Sequence, residues 1–101
     1  MATIKDMVVK LRDRQGWVPG KRIKLDFGPD GIVLLDGVGQ AVSEEDGAAD
    51  TTIAVAWDDL MALGRGELDP VSALMKGQLR IEGDMSNAMQ LQSVIGKLQS
   101  D

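Results

Sequence analysis

The sequence contains no cysteine, no histidine and no tyrosine, and its aromatic residues are two tryptophans and one phenylalanine. Without cysteine there is no thiol nucleophile, no disulfide framework and no Cys/His zinc site. Without histidine there is no imidazole base, which excludes most triad chemistry. A chain without cysteine also suits a reducing compartment. These absences predict a protein that is not an enzyme.

Long apolar runs are also missing, since none approaches the ~20 residues that a membrane span needs. The N-terminus has no apolar core of a secretory signal, and the C-terminus is not a Ser-Lys-Leu peroxisomal address. The chain has 101 residues, of which 44% are hydrophobic and 27% charged. This balance is typical of a globular protein. We expect one cytoplasmic domain over residues 1–101.

The charge is unevenly distributed. The net charge is -5 and the pI is about 4.6, which predicts no nucleic-acid partner. Residues 1–24 nevertheless contain seven bases and two acids, whereas 25–70 contain eleven acids and one base. Apolar residues recur at helical spacing over 3–14, so this segment is predicted to be a basic amphipathic helix. Such a helix can bind transiently to an anionic membrane surface; alternatively, its apolar stripe simply covers the sheet.

Alternating and periodic patterns predict the remaining elements. Strands are predicted over 21–27, 32–35, 38–43, 51–56 and 78–82. Further helices are predicted over 58–63, 70–76 and 85–98, with Asp69 and Asp84 as N-caps and Gly77 as a stop. Thr3 and Gly16 are the predicted cap and stop of the first helix. Strands with one apolar face, covered by helices, define an α+β protein.

The polar residues offer little chemistry. The acidic cluster Glu44-Glu45-Asp46 lies in a predicted connection and is interpreted as solvated surface rather than paired catalytic carboxylates. No calcium-loop motif is present. Gly37-Val38-Gly39 is a fragment of a dinucleotide fingerprint without its third glycine and its helix, and is interpreted as a hairpin turn. The sequence therefore predicts no metal and no cofactor.

Methionine is abundant, with six residues against three aromatics. Methionine fills irregular gaps in cores and is also frequent on adaptable apolar surfaces. Most of the methionines fall on or beside the three C-terminal helices. On its own this pattern favours an ordinary core with flexible filler; the alternative is a deformable apolar pocket for a lipid.

Several short motifs occur in order within 50–92. They are Thr51-Thr52-Ile53, Asp59-Leu60, Gly66-x-Leu68-Asp69-Pro70, Met75-x-Gly77-x-Leu79-x-Ile81-x-Gly83-Asp84 and Ala88-x-x-Leu91. No one of them is specific, but the ordered set resembles the sterol-transfer domain of the sterol carrier protein type two family. The missing peroxisomal signal and the Ala/Gly/Asp-rich composition favour a bacterial stand-alone domain.

The resemblance implies a five-stranded sheet with helices packed on one face, enclosing an apolar cavity. It also implies non-enzymatic binding, and possibly transfer between membranes, of a fatty acid, fatty acyl-CoA, phospholipid or sterol. Residues that would line such an interior are Leu60, Leu74, Met75, Leu79, Ile81, Met85, Met89 and Val94. Gln92, a polar position in an apolar helix, is the candidate for a lipid head group; the alternative is an exposed helix position.

Two other functions fit the same sequence. A structural or protein-interaction module would have the same residues in a filled core. An accessory domain of a lipid-modifying enzyme would also look the same. The sequence does not select an oligomeric state.

Overall fold

The computed structural model describes residues 3–90. The helices in this range are α1 (Ile4–Asp13), α2 (Trp57–Gly64), α3 (Pro70–Met75) and α4 (Met85–Met89). The strands are β1 (Arg22–Asp26), β2 (Ile32–Asp36), β3 (Ala41–Ser43), β4 (Thr51–Val55) and β5 (Leu79–Gly83), with a 3₁₀ turn at Gly28–Asp30. The predicted α+β class is confirmed.

The five strands form one mixed sheet in the order β3-β2-β1-β4-β5. The central pair, β1 and β4, is parallel, and the other three pairs are antiparallel. Ile23 on β1 therefore lies opposite Leu35 on β2 and Thr51 on β4. The register places the buried residues of all five strands on one side of the sheet, called here the inner face.

The inner face and the helices share one hydrophobic core. Its strand members are Ile23, Leu25, Val33, Leu35, Val42, Ile53, Val55 and Leu79, and its helix members are Met7, Val8, Leu11, Leu60, Met61 and Ala73. Because α1, α2 and α3 all contribute to this one cluster, the helices pack on the inner face, as the resemblance implies.

Helix α1 covers the end of the sheet formed by β2 and β3. Met7, Val8 and Leu11 are buried, so the apolar stripe of α1 faces the sheet and not the solvent. Thr3 caps the helix in a capping box, and the side chain of Arg12 donates to the carbonyl of Val42 on β3 at 2.7 Å. Of the two interpretations of the basic helix, the structure favours the one in which the stripe covers the sheet.

The predicted stop of α1 at Gly16 is wrong by one residue. The left-handed position after the helix is taken by Gln15, with a φ of 54°. The amide of Gly16 then bonds to the carbonyl of Leu11 at 2.8 Å, which completes a Schellman motif. Gly16 is small for another reason, since a Cβ there would lie 2.2 Å from a methyl group of Leu11.

Strand β2, which is apolar on both faces, is oriented by its pairing with β1. Val33 and Leu35 face the core, while Leu34 lies on the outer face opposite Lys24. The connection from β3 to β4 crosses this outer face: Asp46 forms an ion pair with Lys24 at 2.6 Å, and a Cβ at Gly47 would lie 3.4 Å from Leu34. The acidic connection is therefore exposed but attached to the sheet.

One predicted element boundary is wrong, and another lies beyond the residues that the structure describes. The third strand begins at Ala41 instead of residue 38, because Gly37 to Gln40 form the turn and Gln40 has a φ of 56°. The last helix is described as far as Met89, and its predicted continuation over 91–98 lies outside the described residues.

Candidate functional site

A cavity of about 690 Å³ opens between the β4–β5 end of the inner face and the helices that follow β4. Its lining comes from β4, β5, the end of α2, the segment that joins α2 to α3, and the helices α3 and α4. Apolar side chains dominate this lining. The site is thus a water-accessible apolar cavity at the opposite end of the sheet from α1.

The cavity has a buried floor and an exposed rim. Ile53 and Leu79, on adjacent strands, form the floor and are almost fully buried. At the rim, Val71 is 63% and Met89 77% exposed, and Met85 is also exposed. A cluster of large, solvent-exposed apolar side chains around one opening is unusual on a protein surface. The arrangement suits a guest whose apolar part reaches the sheet and whose other end stays near the solvent.

Helix α3 forms one wall of the cavity, and particular residues define where this helix begins and ends. The side chain of Asp69 accepts a hydrogen bond from the amide of Ser72 at 3.0 Å, and Pro70 fits the first turn. Gly77 ends the helix with a φ of 75°. Between these ends, Ala73 faces the core while Val71 and Leu74 face the cavity.

Helix α4 is attached to the sheet by buried polar groups. The amide side chain of Asn87 donates to the hydroxyl of Thr51 at 3.1 Å, and this hydroxyl donates to the carbonyl of Asp84 at 2.8 Å. Both Asn87 and Thr51 are 1% exposed. This link fixes the first turn of α4 over β4, with Met85, Ala88 and Met89 lining the cavity.

Asp84 begins α4 as its N-cap. It accepts from the hydroxyl of Ser86 at 2.6 Å and from the amide of Ser86 at 2.9 Å. The hydroxyl first, and then the amide, hold the pKa of Asp84 below its usual range. The carboxylate of Asp84 is therefore ionised at neutral pH, where it accepts both hydrogen bonds from Ser86.

The structure brings together five of the predicted site residues. Leu74, Leu79, Ile81, Met85 and Met89 all line the cavity. Leu60 does not: it is fully buried in the core, where α2 packs on the sheet. Met75 is 84% exposed and lies outside the lining, because it falls at the last residue of α3. Gln92 and Val94 lie outside the described residues.

Sequence reasoning missed several lining residues. Ile53, Leu63, Leu68, Val71 and Ala88 also line the cavity. The signal for Ile53 was present, since it lies on the apolar face of its strand. The pattern predicts Asp69 as a helix start, which is confirmed, and Asp69 also lies in the lining. Asp69 therefore both caps α3 and lines the cavity, but the sequence pattern indicates only the capping role.

The tryptophans lie away from this cavity. Trp57 packs edge-on against Phe27, with ring centroids 5.5 Å apart, and Trp17 packs against the core. Within residues 3–90, no helix is long and apolar enough to cross a membrane. The same range contains no group of three or more acidic side chains placed to hold a metal ion.

Comparisons with known proteins identify the family of this chain and its fold. The sequence model of the SCP-2 sterol transfer family matches residues 6–96, so the chain belongs to that family. It is 39% identical over 84 residues to "Sterol carrier protein 2" of Rattus norvegicus, which covers 77% of this chain and 15% of the rat protein. It is 33% identical over 52 residues to "Hydroxysteroid dehydrogenase-like protein 2" of Bos taurus, covering 52% of this chain and 12% of that one.

The fold is that of solved sterol carrier proteins. The solution structure of Sterol Carrier Protein-2 from Aedes aegypti in complex with the C16 fatty acid palmitate aligns with a TM-score of 0.70. The alignment covers 91% of this chain and 93% of the insect protein, at 19% sequence identity. The likeness therefore shows a shared architecture, while the chain spans only about 15% of the length of the rat relative.

Proposed function

We propose that this protein binds the hydrocarbon part of a lipid in the cavity between β4, β5, α3 and α4, and carries it without chemical change. The supporting observation is the cavity of about 690 Å³ with a buried apolar floor and a rim open to solvent. Sites for small molecules typically have volumes of about 300–1,000 Å³ and mostly apolar linings. The alternative, a structural or protein-interaction module with a filled core, predicts that no lipid enters this space.

The expected affinity follows from burial of the alkyl chain. Each buried methylene contributes about 0.8 kcal/mol, so a chain of roughly 12 to 16 carbons gains about 10 kcal/mol or more. The lower estimates of the cost of association are about 4 kcal/mol. The difference corresponds to a dissociation constant in the micromolar range.

Fluorescence titration with a pyrene-labelled long-chain alcohol tests the proposal. We expect saturable micromolar binding by the parent protein. Met89→Glu should weaken it about tenfold, since a carboxylate at the rim must be desolvated when the ligand enters. Met75→Glu is the matched control, because Met75 is 84% exposed against 77% for Met89 but lies outside the lining. No saturable binding by the parent protein, or equal loss in both variants, would contradict the proposal.

We propose that the carrier role involves no catalysis by this chain. The support is that the sequence offers no histidine, cysteine or tyrosine. The bovine relative's name is that of an enzyme, but the match covers 12% of that protein. Incubation with esters, thioesters and sterols should give no product above the protein-free control. Product that increases with protein concentration and disappears on mutation of one acid or serine would contradict this.

A further inference from the structure

The charged groups in the lining of the cavity are of one sign. Among the residues that the structure describes, Asp69 is the one charged side chain in the lining. The neighbouring Arg65 is not among the lining residues and forms an ion pair with Glu67. Lys76 lies at the opposite end of α3 from Asp69 and outside the lining. Within residues 3–90, the lining of the cavity therefore contains one negative charge and no cation.

Asp69 is the N-cap of α3, so its carboxylate already lies at the start of this helix. The first amides of a helix attract negative groups. At α3, Pro70 has no amide hydrogen, and the amide of Ser72 already donates to Asp69 at 3.0 Å. An incoming carboxylate finds this donor engaged and a like charge in front of it.

The polar end of a ligand would lie on the same side as Asp69. The floor at Ile53 and Leu79 is buried, so the alkyl chain belongs there. Asp69 is exposed, as are Val71 and Met89 on the rim. A chain that fills the cavity from the floor outward brings its polar group to the rim, where Asp69 lies.

We infer that Asp69 makes the cavity select long-chain ligands with an uncharged polar end, such as an alcohol or ester, over the free carboxylate of the same chain. This inference rests on the proposed function and defines the class of lipid. The repulsion is electrostatic and partly solvent-exposed, so it is modest and weakens with added salt.

Asp69→Asn isolates the charge from the fold. Asparagine caps helices about as well as aspartate, so α3 should keep its start. Asp69→Ser is a second uncharged cap. Glu82→Gln removes the same net charge from an exposed position on the outer face of β5, and is the matched control.

The experiment compares a pyrene-labelled long-chain alcohol with the matching pyrene-labelled fatty acid, at about pH 9, where the acid in water is ionised. The parent protein should bind the alcohol about tenfold more tightly than the acid. Asp69→Asn and Asp69→Ser should reduce this ratio at least about threefold by strengthening the acid alone, whereas Glu82→Gln should leave it unchanged. High salt should reduce the ratio in the parent protein but much less in the two variants.

The outcomes separate this inference from the proposed function. If the parent protein binds neither probe, the proposed function fails. If it binds both probes equally, or if Asp69→Asn leaves the ratio unchanged, the cavity is real but the inference about Asp69 is wrong. A ratio that falls equally in Asp69→Asn and Glu82→Gln reflects net charge alone and also overturns it.

Discussion

The two ends of the inner sheet face are built from the same kinds of residue but packed differently. At the β2–β3 end, called here the filled end, Val33, Leu35 and Val42 are buried in one core cluster with the apolar stripe of α1. At the β4–β5 end, Ile53 and Leu79 meet a cavity. The two ends differ in their helices and not in their strands.

Helix α1 is capped, has ten residues and buries Met7, Val8 and Leu11, whereas α3 has six residues and buries only Ala73. Its larger apolar residues, Val71 and Leu74, face the opening. Because α3 is short and places only a small side chain in the core, space remains between this helix and the sheet. An apolar strand residue therefore becomes part of the core or part of a cavity wall, depending on which side chains the covering helix places over it.

The largest expected effect is the contrast between Leu11→Ala and Leu74→Ala. Leu11 is fully buried at the filled end, so its truncation should lower the free energy of unfolding by about 3 kcal/mol. Leu74 is 38% exposed at the cavity, so the same truncation should cost well under half of that. Urea unfolding measures both. Equal losses would show that the two ends are packed alike.

A second comparison concerns the attachment of α4. Thr51→Val removes the hydroxyl that accepts from Asn87 and donates to Asp84, leaving buried groups without partners. We expect a loss of about 1–3 kcal/mol. Thr52→Val, one residue along on the outer face, should change stability by less than about 0.5 kcal/mol. Chemical unfolding of the pair should separate them; similar values would mean that the buried link contributes nothing.

A smaller effect is expected at the end of α3. Gly77 has a φ of 75°, and an L-residue there costs about 1–2 kcal/mol. Gly77→Ala should lower the melting temperature accordingly. Lys76→Ala, at the preceding residue with a φ of -88°, should leave it nearly unchanged. If Gly77→Ala is as stable as the parent protein, the left-handed end of α3 is not required.

The smallest effect is an acid dependence that appears at both ends. Hydrogen bonds from Ser86 lower the pKa of Asp84 at the cavity end. The amide of Gly39 is the largest cause of the lowered pKa of Asp36 at the filled end. A lowered folded-state pKa contributes stability that is present above the unfolded value and lost as the pH falls through the folded pKa.

Each contribution should therefore be complete at neutral pH and disappear as the pH falls below 3.8. Carboxyl titration by NMR gives the two pKa values directly. Ser86→Ala should raise the pKa of Asp84 and leave that of Asp36 unchanged. A parallel rise at both sites would point to a global change instead of the local hydrogen bonds.

Much of this architecture could be predicted from the sequence because its signals are local. Thr3, Asp69 and Asp84 each begin a helix as predicted, and alternation identified β1, β4 and β5. Non-local facts could not be predicted in the same way. Strand β2 is apolar on both faces, so only its pairing with β1 decides that Leu35 faces inward.

The same distinction explains the site. The pattern placed Leu79, Ile81, Met85 and Met89 on consecutive elements, and they do meet around one cavity. It could not separate Leu60 from Leu63 on α2, because helical spacing shows that residues share a face but not what that face meets. Leu60 meets the sheet and Leu63 lines the cavity.

The parallel pairing of β1 with β4 has a consequence for folding kinetics. Arg22 and Asp50, which bond where these strands begin, are 28 residues apart in the chain, whereas β1, β2 and β3 are joined by short turns. Closing the larger loop is entropically costly, so we expect the β1–β4 pairing to limit the folding rate. The floor at Ile53 joins the sheet only in that step. A ligand that enters the completed cavity should therefore slow unfolding while leaving the folding rate unchanged.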